Sequence, residues 1–179
     1  MIVSLVDLRP GDVIVTKTTD VVGWAIRLRS KILRRPDLHN HVALFTHMDD
    51  TGRPRGLEGR PSGFGWANLE KYLGHPSTVA NCAQTGRSDE QRRQVVEAAT
   101  RMVGIAYDWR AILCFAAGTA HLPFLAREWP ADGVPSHVVC SSAVDYLYES
   151  VGWANPGGYA KTRGTDPDDW TAFIQRGAW

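Results

Sequence analysis

A thiol becomes a nucleophile when a base stands beside it and a third group orients that base. The chain offers three cysteines, Cys82, Cys114 and Cys140, and six histidines, His39, His41, His47, His75, His121 and His137. Cys114 lies in the apolar stretch "AILCFAAG" and Cys82 in "VANCAQT", among small residues. Both read as packed, inert thiols. Cys140 differs, because the apolar "HVV" precedes it and "SSAVDYLYESV" follows with helical periodicity. Ser142 and Asp145 stand three apart, like a capping box with Asp in place of Glu. Cys140 is therefore expected at, or one step before, a helix N-terminus. Unpaired backbone N–H groups and the positive end of the helix dipole there favour an anionic sulfur and could hold an oxyanion. A small apolar residue near a helix start would give the same pattern, and this segment alone leaves both readings standing.

Three histidines crowd the segment "LHNHVALFTHMDD". His137 is close to Cys140 in sequence, but an extended chain between them points the two side chains to opposite faces. His75 and His121 each stand beside or near a proline, as loop residues do. His41 opens an apolar strand whose alternation puts His41, Ala43, Phe45 and His47 on one face. "DDTG" then reads as a turn and "RGLEG" as the returning strand of a hairpin. A turn centred near Asp50 places residue 58 or 59 opposite His41. Residue 58 is Glu58, the acid of "RGLEG", which could hold one imidazole tautomer; a solvated strand carboxylate is the plainer alternative. Asp49 and Asp50 fall at the far end of the hairpin and read as turn formers. His39 is a candidate to line a cleft at the start of the strand.

The spacing His39-x-His41 suits zinc, yet no Cys-x-x-Cys or His-Glu-x-x-His is nearby to complete a ligand set. No metal or other cofactor is expected. The letters "HNH" do not make a nuclease, whose residues spread over a longer unit, and no nucleic-acid partner is expected. The basic cluster Arg27, Arg29, Lys31, Arg34 and Arg35 reads as the solvated face of a helix, or more sharply as a surface for an anionic substrate or lipid headgroup.

These residues need a scaffold. "RPGDVIVTKT" reads as a turn and a strand near Val13 to Thr16. "TDVVGWAIRLRSKILRR" reads as a helix capped by Thr19 or Asp20 and ended by Pro36. The hairpin follows, then a short helix or turn at "NLEKYLG" and a strand candidate at "STVANCAQT". "SDEQRRQVVEAATRMVG" is a helix with Ser88 as its cap, and "WRAILCFAAGTA" a buried helix. The Cys140 helix runs to about Val151 and closes at Gly152, and "GTDPDDWTAFIQ" ends in a short helix. Outer helices around a middle of short strands indicate an α+β fold.

Composition agrees with one domain: 179 residues, 44% hydrophobic, 22% charged and a formal net charge of +1. That balance lacks the basic excess of a nucleic-acid binder. No apolar run approaches the ~18–20 residues that span a bilayer, so no transmembrane segment is expected. The start, "MIVSLVDLRPGD", lacks the basic and apolar regions of a secretory signal and reads as a first strand. Three widely spaced cysteines argue for a reducing compartment. Together these point to the cytoplasm, with a phage particle or signal-independent export as other routes. Oligomeric state is not readable.

The ordered set "RPGDVIVTKT", "NHVALFTH", "GLEG", "GIAYDW", "VVCSSAVDYLYESVG" and "TDPDDW" resembles the permuted branch of the NlpC/P60 papain-like superfamily, the YiiX-like and lecithin:retinol acyltransferase-like group. In that branch the histidine strand precedes the cysteine helix, as here. The resemblance implies a circularly permuted papain-like fold, with a small antiparallel sheet packed against the nucleophile helix across residues 1–179. It implies Cys140 as nucleophile, His41 as base and Glu58 as orienting group, with Tyr107, Ser141 and His39 near the substrate. The position after Cys-Ser, often acidic in this group, is Ser142. The implied activity is a cysteine hydrolase that cleaves an amide, in a peptide or cell-wall peptide, through a thioacyl intermediate. A lipid acyltransferase or phospholipase-like thiol enzyme and a non-catalytic papain-like module, for example phage-associated, are the alternatives.

Overall fold

The computed structural model describes residues 8–32, 39–72, 79–81, 86–116, 135–156, 165 and 167–176. Its centre is a five-stranded antiparallel sheet of β1 (Val13–Thr16), β2 (His41–Met48), β3 (Pro54–Arg60), β4 (Gly63–Asn68) and β5 (Val79–Asn81), in the order β4-β3-β2-β1-β5. β1 is an inner strand, between β2 and β5, and is buried on both faces, which is why it reads as an unbroken apolar run. Val13 and Val15 point into one core and Ile14 into the other.

The larger core lies between the sheet and three helices. α2 (Asp89–Arg101), α4 (Cys140–Ser150) and α5 (Pro167–Arg176) bring Val95, Ala99, Val144, Leu147, Trp170 and Phe173 against Val42, Leu44 and Leu57. Tyr148 stands edge-on to both Trp153 and Trp170, and its hydroxyl donates to the Gly11 carbonyl at 2.5 Å. Fully buried aromatics with satisfied polar tips lock α4 in place. On the other face Ile14, Ala43, Phe45, Ala67 and Leu69 form a smaller core. α1 (Val21–Ile32) packs against α3 (Trp109–Ala116) through Val22, Ala25, Ile26 and Ile112, with Tyr107 and Val139 at their edge.

Local signals account for the helix starts. Ser88 and Gln91 form a full capping box on α2. Asp20 accepts from the Gly23 N–H at the head of α1. The buried Arg92 of α2 reaches Asp12 at 2.9 Å and the Pro10 carbonyl at 2.9 Å, tying this helix to the turn before β1. Asp49 builds the hairpin turn, accepting from the N–H groups of Thr51 and Arg53 and from Arg55 Nε. Those bonds to the charged form hold its carboxyl below the usual range.

Several expectations need correction. "RGLEG" lies in β3 and forms the expected hairpin with β2, while β4, which was not expected, pairs on its other edge. α3 is not wholly buried, since Trp109 and Leu113 are exposed. The cap of α4 is Val139, with Ser142 at the third helical position bonding back to it; Asp145 instead accepts from Thr165 Oγ1. Cys82, His75, His121, Arg34, Arg35, Pro36 and the opening stretch before Leu8 lie outside the described residues, as do the side chains of Arg29 and Cys114. Among the described residues, no helix is long and apolar enough to cross a membrane.

Candidate functional site

Glu58 is fully buried on β3 and surrounded by donors. Its Oε2 lies 2.8 Å from His41 Nε2 and 2.8 Å from the Tyr72 hydroxyl. Its Oε1 lies 2.6 Å from Arg60 Nε and 3.1 Å from Lys71 Nζ. Burial works against the charge, but the bond to His41 and the cations His41, Lys71 and Arg60 win, and the carboxyl is pulled down to about 2. An ionised carboxylate only accepts, so His41 Nε2 carries a proton and donates.

The register that makes this contact differs from the expected one. Glu58 stands opposite Ala43, not His41, and the ladder shifts between Phe45 and His47. His41 and Glu58 are therefore diagonal neighbours on one face, close enough for long polar side chains to meet. The same bulge breaks the alternation that had placed His47 with His41. His47 is exposed and stands edge-on to Trp66.

With Nε2 turned to Glu58, Nδ1 is the nitrogen left for another partner. Cys140 is 2% exposed at the first position of α4, near enough that its sulfur favours the protonated imidazole. Burial of His41 disfavours its cation, but the Cys140 and Glu58 interactions outweigh that cost and raise His41 to about 10. The imidazole thus stays protonated near neutral pH. Gly59 permits the approach of helix to sheet: a Cβ there would meet the Cys140 backbone nitrogen at 3.0 Å and Cα at 3.1 Å. The first turn of α4 presents N–H groups with no intrahelical acceptor beside the sulfur.

Tyr107 sits in β6 (Ala106–Tyr107), which pairs in parallel with β7 (His137–Val138), and its partner there is Val138. It is buried, and burial first, then the nearby Cys140, Asp20 and Asp108 charges, push its phenol up. It is therefore a neutral group near Cys140. Two other expected substrate contacts are turned inward. His39 Nδ1 meets Thr171 Oγ1 at 2.8 Å, and its backbone N–H donates to Asp168. Ser141 donates to the Thr165 carbonyl at 2.6 Å. Both side chains are buried and fasten the site to α5 and the segment before it. His137 bonds Ser136.

Tyr72 and Lys71 were not singled out by the sequence. They lie on a 3-10 turn, Glu70–Tyr72, too short to show periodicity. The Tyr72 ring also tilts against His41 at 5.5 Å between centroids. Burial, then the Glu58 charge, raises the Tyr72 phenol, so it acts only as a donor to the carboxylate.

No family model matches the chain, and no curated protein matches it. Among solved structures it is similar to the crystal structure of the metalloprotein yiiX from Escherichia coli O157:H7. The TM-score is 0.55 at 19% identity, over 80% of this chain and 66% of that one. The likeness is one of fold. The chain matches just under two thirds of that neighbour's length, in a mixed α+β architecture with a small antiparallel sheet. The word metalloprotein belongs to yiiX. Among the described residues here, no three His, Cys, Asp or Glu side chains are placed to hold a metal ion. His39 and His41, the pair with zinc-like spacing, turn to Thr171 and Glu58 respectively. The described residues therefore do not fit a metal centre.

Proposed function

We propose that this chain is a cysteine hydrolase of the permuted papain-like class, cleaving an amide through a thioacyl-enzyme intermediate. The observation that carries the reading is the His41 imidazole bonded to the ionised Glu58, with Gly59 letting the head of α4, and with it Cys140, close onto the same strand. In that arrangement the Cys140 sulfur attacks the carbonyl carbon as the anion of a sulfur–imidazolium pair. The negative charge that moves onto the carbonyl oxygen faces the N–H groups of the first turn of α4. His41 gives its proton to the leaving amine, and the C–N bond breaks. His41, now neutral, takes a proton from water, whose oxygen attacks the thioester and releases the acid. Glu58 keeps the ring oriented throughout. The order His41, Glu58, Cys140 along the chain is what makes the class a permuted one.

A lipid ester as substrate is the second reading. It is favoured by exposed Val21 and Trp24 on α1 and exposed Trp109 and Leu113 on α3, two helices packed together beside Tyr107. The Trp109 ring stands 5.5 Å from that of Tyr107, which links this apolar surface to the nucleophile.

Iodoacetamide labelling at neutral pH tests the thiol. Cys140 should react faster in the folded protein than Cys82 or Cys114, and equal or slower reaction defeats the nucleophile. A screen of wild type against Cys140→Ala, over peptides, cell-wall fragments and lipid esters in liposomes, then separates the two substrate readings. A reactive thiol that turns over none of them favours a non-catalytic module.

A further inference from the structure

Beyond the thiol site, the outer strand pair carries an open groove of about 460 Å³ lined by His47, Arg55, Arg60, Trp66, Ala67 and Asn68. Three of these side chains are basic and none is acidic. Two of them, Arg55 and Arg60, are permanently charged, and each keeps a carboxylate, Asp49 or Glu58, at its Nε while its outer N–H groups face the groove side. Trp66 is 48% exposed and supplies a flat wall, with His47 edge-on to it at 5.9 Å. Concave shape, one aromatic wall and convergent polar groups are the usual marks of a ligand site.

The basic side chains are held rather than loose. Arg55 Nε donates to Asp49 at 2.8 Å, and Asp49 is itself fixed by the hairpin turn. Arg60 Nε pairs with Glu58 at 2.6 Å, and its Nη2 donates to the Trp66 carbonyl. Each guanidinium has five N–H donors, so these bonds leave most of its capacity for a ligand. Glu58 cannot neutralise its surroundings, because one carboxylate there faces Arg60, Lys71 and His41 together. Asp49 and Glu58 both lie outside the groove lining. Guanidinium pairs in such a setting suit oxyanions, which they bind by forked, charge-assisted hydrogen bonds.

We propose that this groove binds an oxyanion, a phosphate or a carboxylate, at one end of the molecule whose carbonyl Cys140 attacks. Arg60 joins the two places, since the same side chain lines the groove and bonds the carboxylate that orients His41. The proposal rests on the hydrolase reading for its link to Cys140, and the groove is tested separately from the thiol.

Inorganic phosphate and acetate, titrated separately into the full chain, are followed by NMR at the His47 ring and the Arg55 and Arg60 Nε–H groups. Saturable shifts are expected with at least one anion, and the stronger binder identifies the phosphate or carboxylate source. Arg55→Gln, which leaves the Glu58 contacts untouched, should weaken binding about tenfold, the loss of one charge-assisted pair. No saturable shift, or unchanged binding in the variant, overturns the groove.

The link to the thiol is read with two chromogenic esters, neutral 4-nitrophenyl acetate and anionic mono-4-nitrophenyl succinate. Arg55→Gln should raise KM for the succinate about tenfold and leave both kcat and the acetate values unchanged. Equal effects on both esters overturn the link while the NMR result stands. If wild type cleaves neither ester and Cys140 resists iodoacetamide, the hydrolase reading and the link fail together, and the NMR titration alone decides the groove.

Discussion

Glu58 stands across the ladder from Ala43, yet its Oε2 meets His41 Nε2 at 2.8 Å. The pair is diagonal, and both partners are buried, with His41 at 8% exposure and Glu58 at 0%. A contact of this kind depends on side-chain reach, so it is sensitive to what else grips each end. Tyr72, Lys71 and Arg60 grip the carboxylate, and the nearby Cys140 sulfur favours the protonated imidazole.

Replacing Glu58 by Gln removes the charge while keeping the shape. The His41 titration, followed by NMR of the ring carbons, should then fall from about 10 by about one to three pH units, the usual effect of one adjacent opposite charge. An unchanged titration would show that Cys140 alone holds the imidazolium.

Stability should depend on pH from both sides. Glu58 is lowered from 4.5 to about 2, so its contribution is complete above pH 4.5 and disappears as pH falls toward 2. His41 is raised from 6.5 to about 10, so its contribution is complete below pH 6.5 and disappears as pH rises toward 10. Thermal unfolding should therefore show both contributions in full between pH 4.5 and 6.5, with Glu58→Gln flattening both slopes. Equal slopes in wild type and variant would place the pH dependence elsewhere.

Gly59→Ala inserts a methyl group 3.0 Å from the Cys140 nitrogen and 3.2 Å from the Val139 carbonyl carbon. Backbone must move to admit it, at a cost of about 1–3 kcal/mol. The head of α4 should shift from β3, so iodoacetamide labelling of Cys140 should slow in protein that denaturant titration shows to be folded. Wild-type labelling in a folded variant would mean that the helix position does not set the reactivity.

Arg92→Met offers a control remote from the sulfur chemistry. Arg92 and Asp12 form an ion pair in which both side chains are almost wholly buried. Removing one partner strands a buried charge, at a cost of about 3–5 kcal/mol. The denaturant midpoint should drop sharply, while labelling of Cys140 per folded molecule remains at the wild-type rate.

Strand alternation and helix periodicity pointed to His41, Glu58 and Cys140 because each is a local signal. His41 opens an apolar strand, Glu58 is the acid of its partner strand, and Cys140 starts an amphipathic helix. Register was the weaker inference. It depends on the Asp49 turn and on a bulge at Phe45 to His47, neither of which a centred-turn estimate includes. β4 was missed because "GFGWAN" is glycine-interrupted and carries little strand propensity. Tyr72 and Lys71 leave no periodic trace on one 3-10 turn, and only three-dimensional proximity to Glu58 exposes their part. His39 and Ser141 adjoin site residues in sequence but point toward the C-terminal helix side, a direction that adjacency does not encode.

The hairpin of β2 and β3 has a consequence for the newborn chain. His41 and Glu58 stand 17 residues apart on one hairpin, a contact far more local than either makes with the Cys140 helix. The sulfur arrives much later, on a helix whose packing against β2 and β3 is a long-range event. The imidazole–carboxylate pair can thus be assembled before the helix that carries Cys140 docks. The environment of Cys140 is complete only when its helix packs over β2 and β3, long after the imidazole and carboxylate can have met.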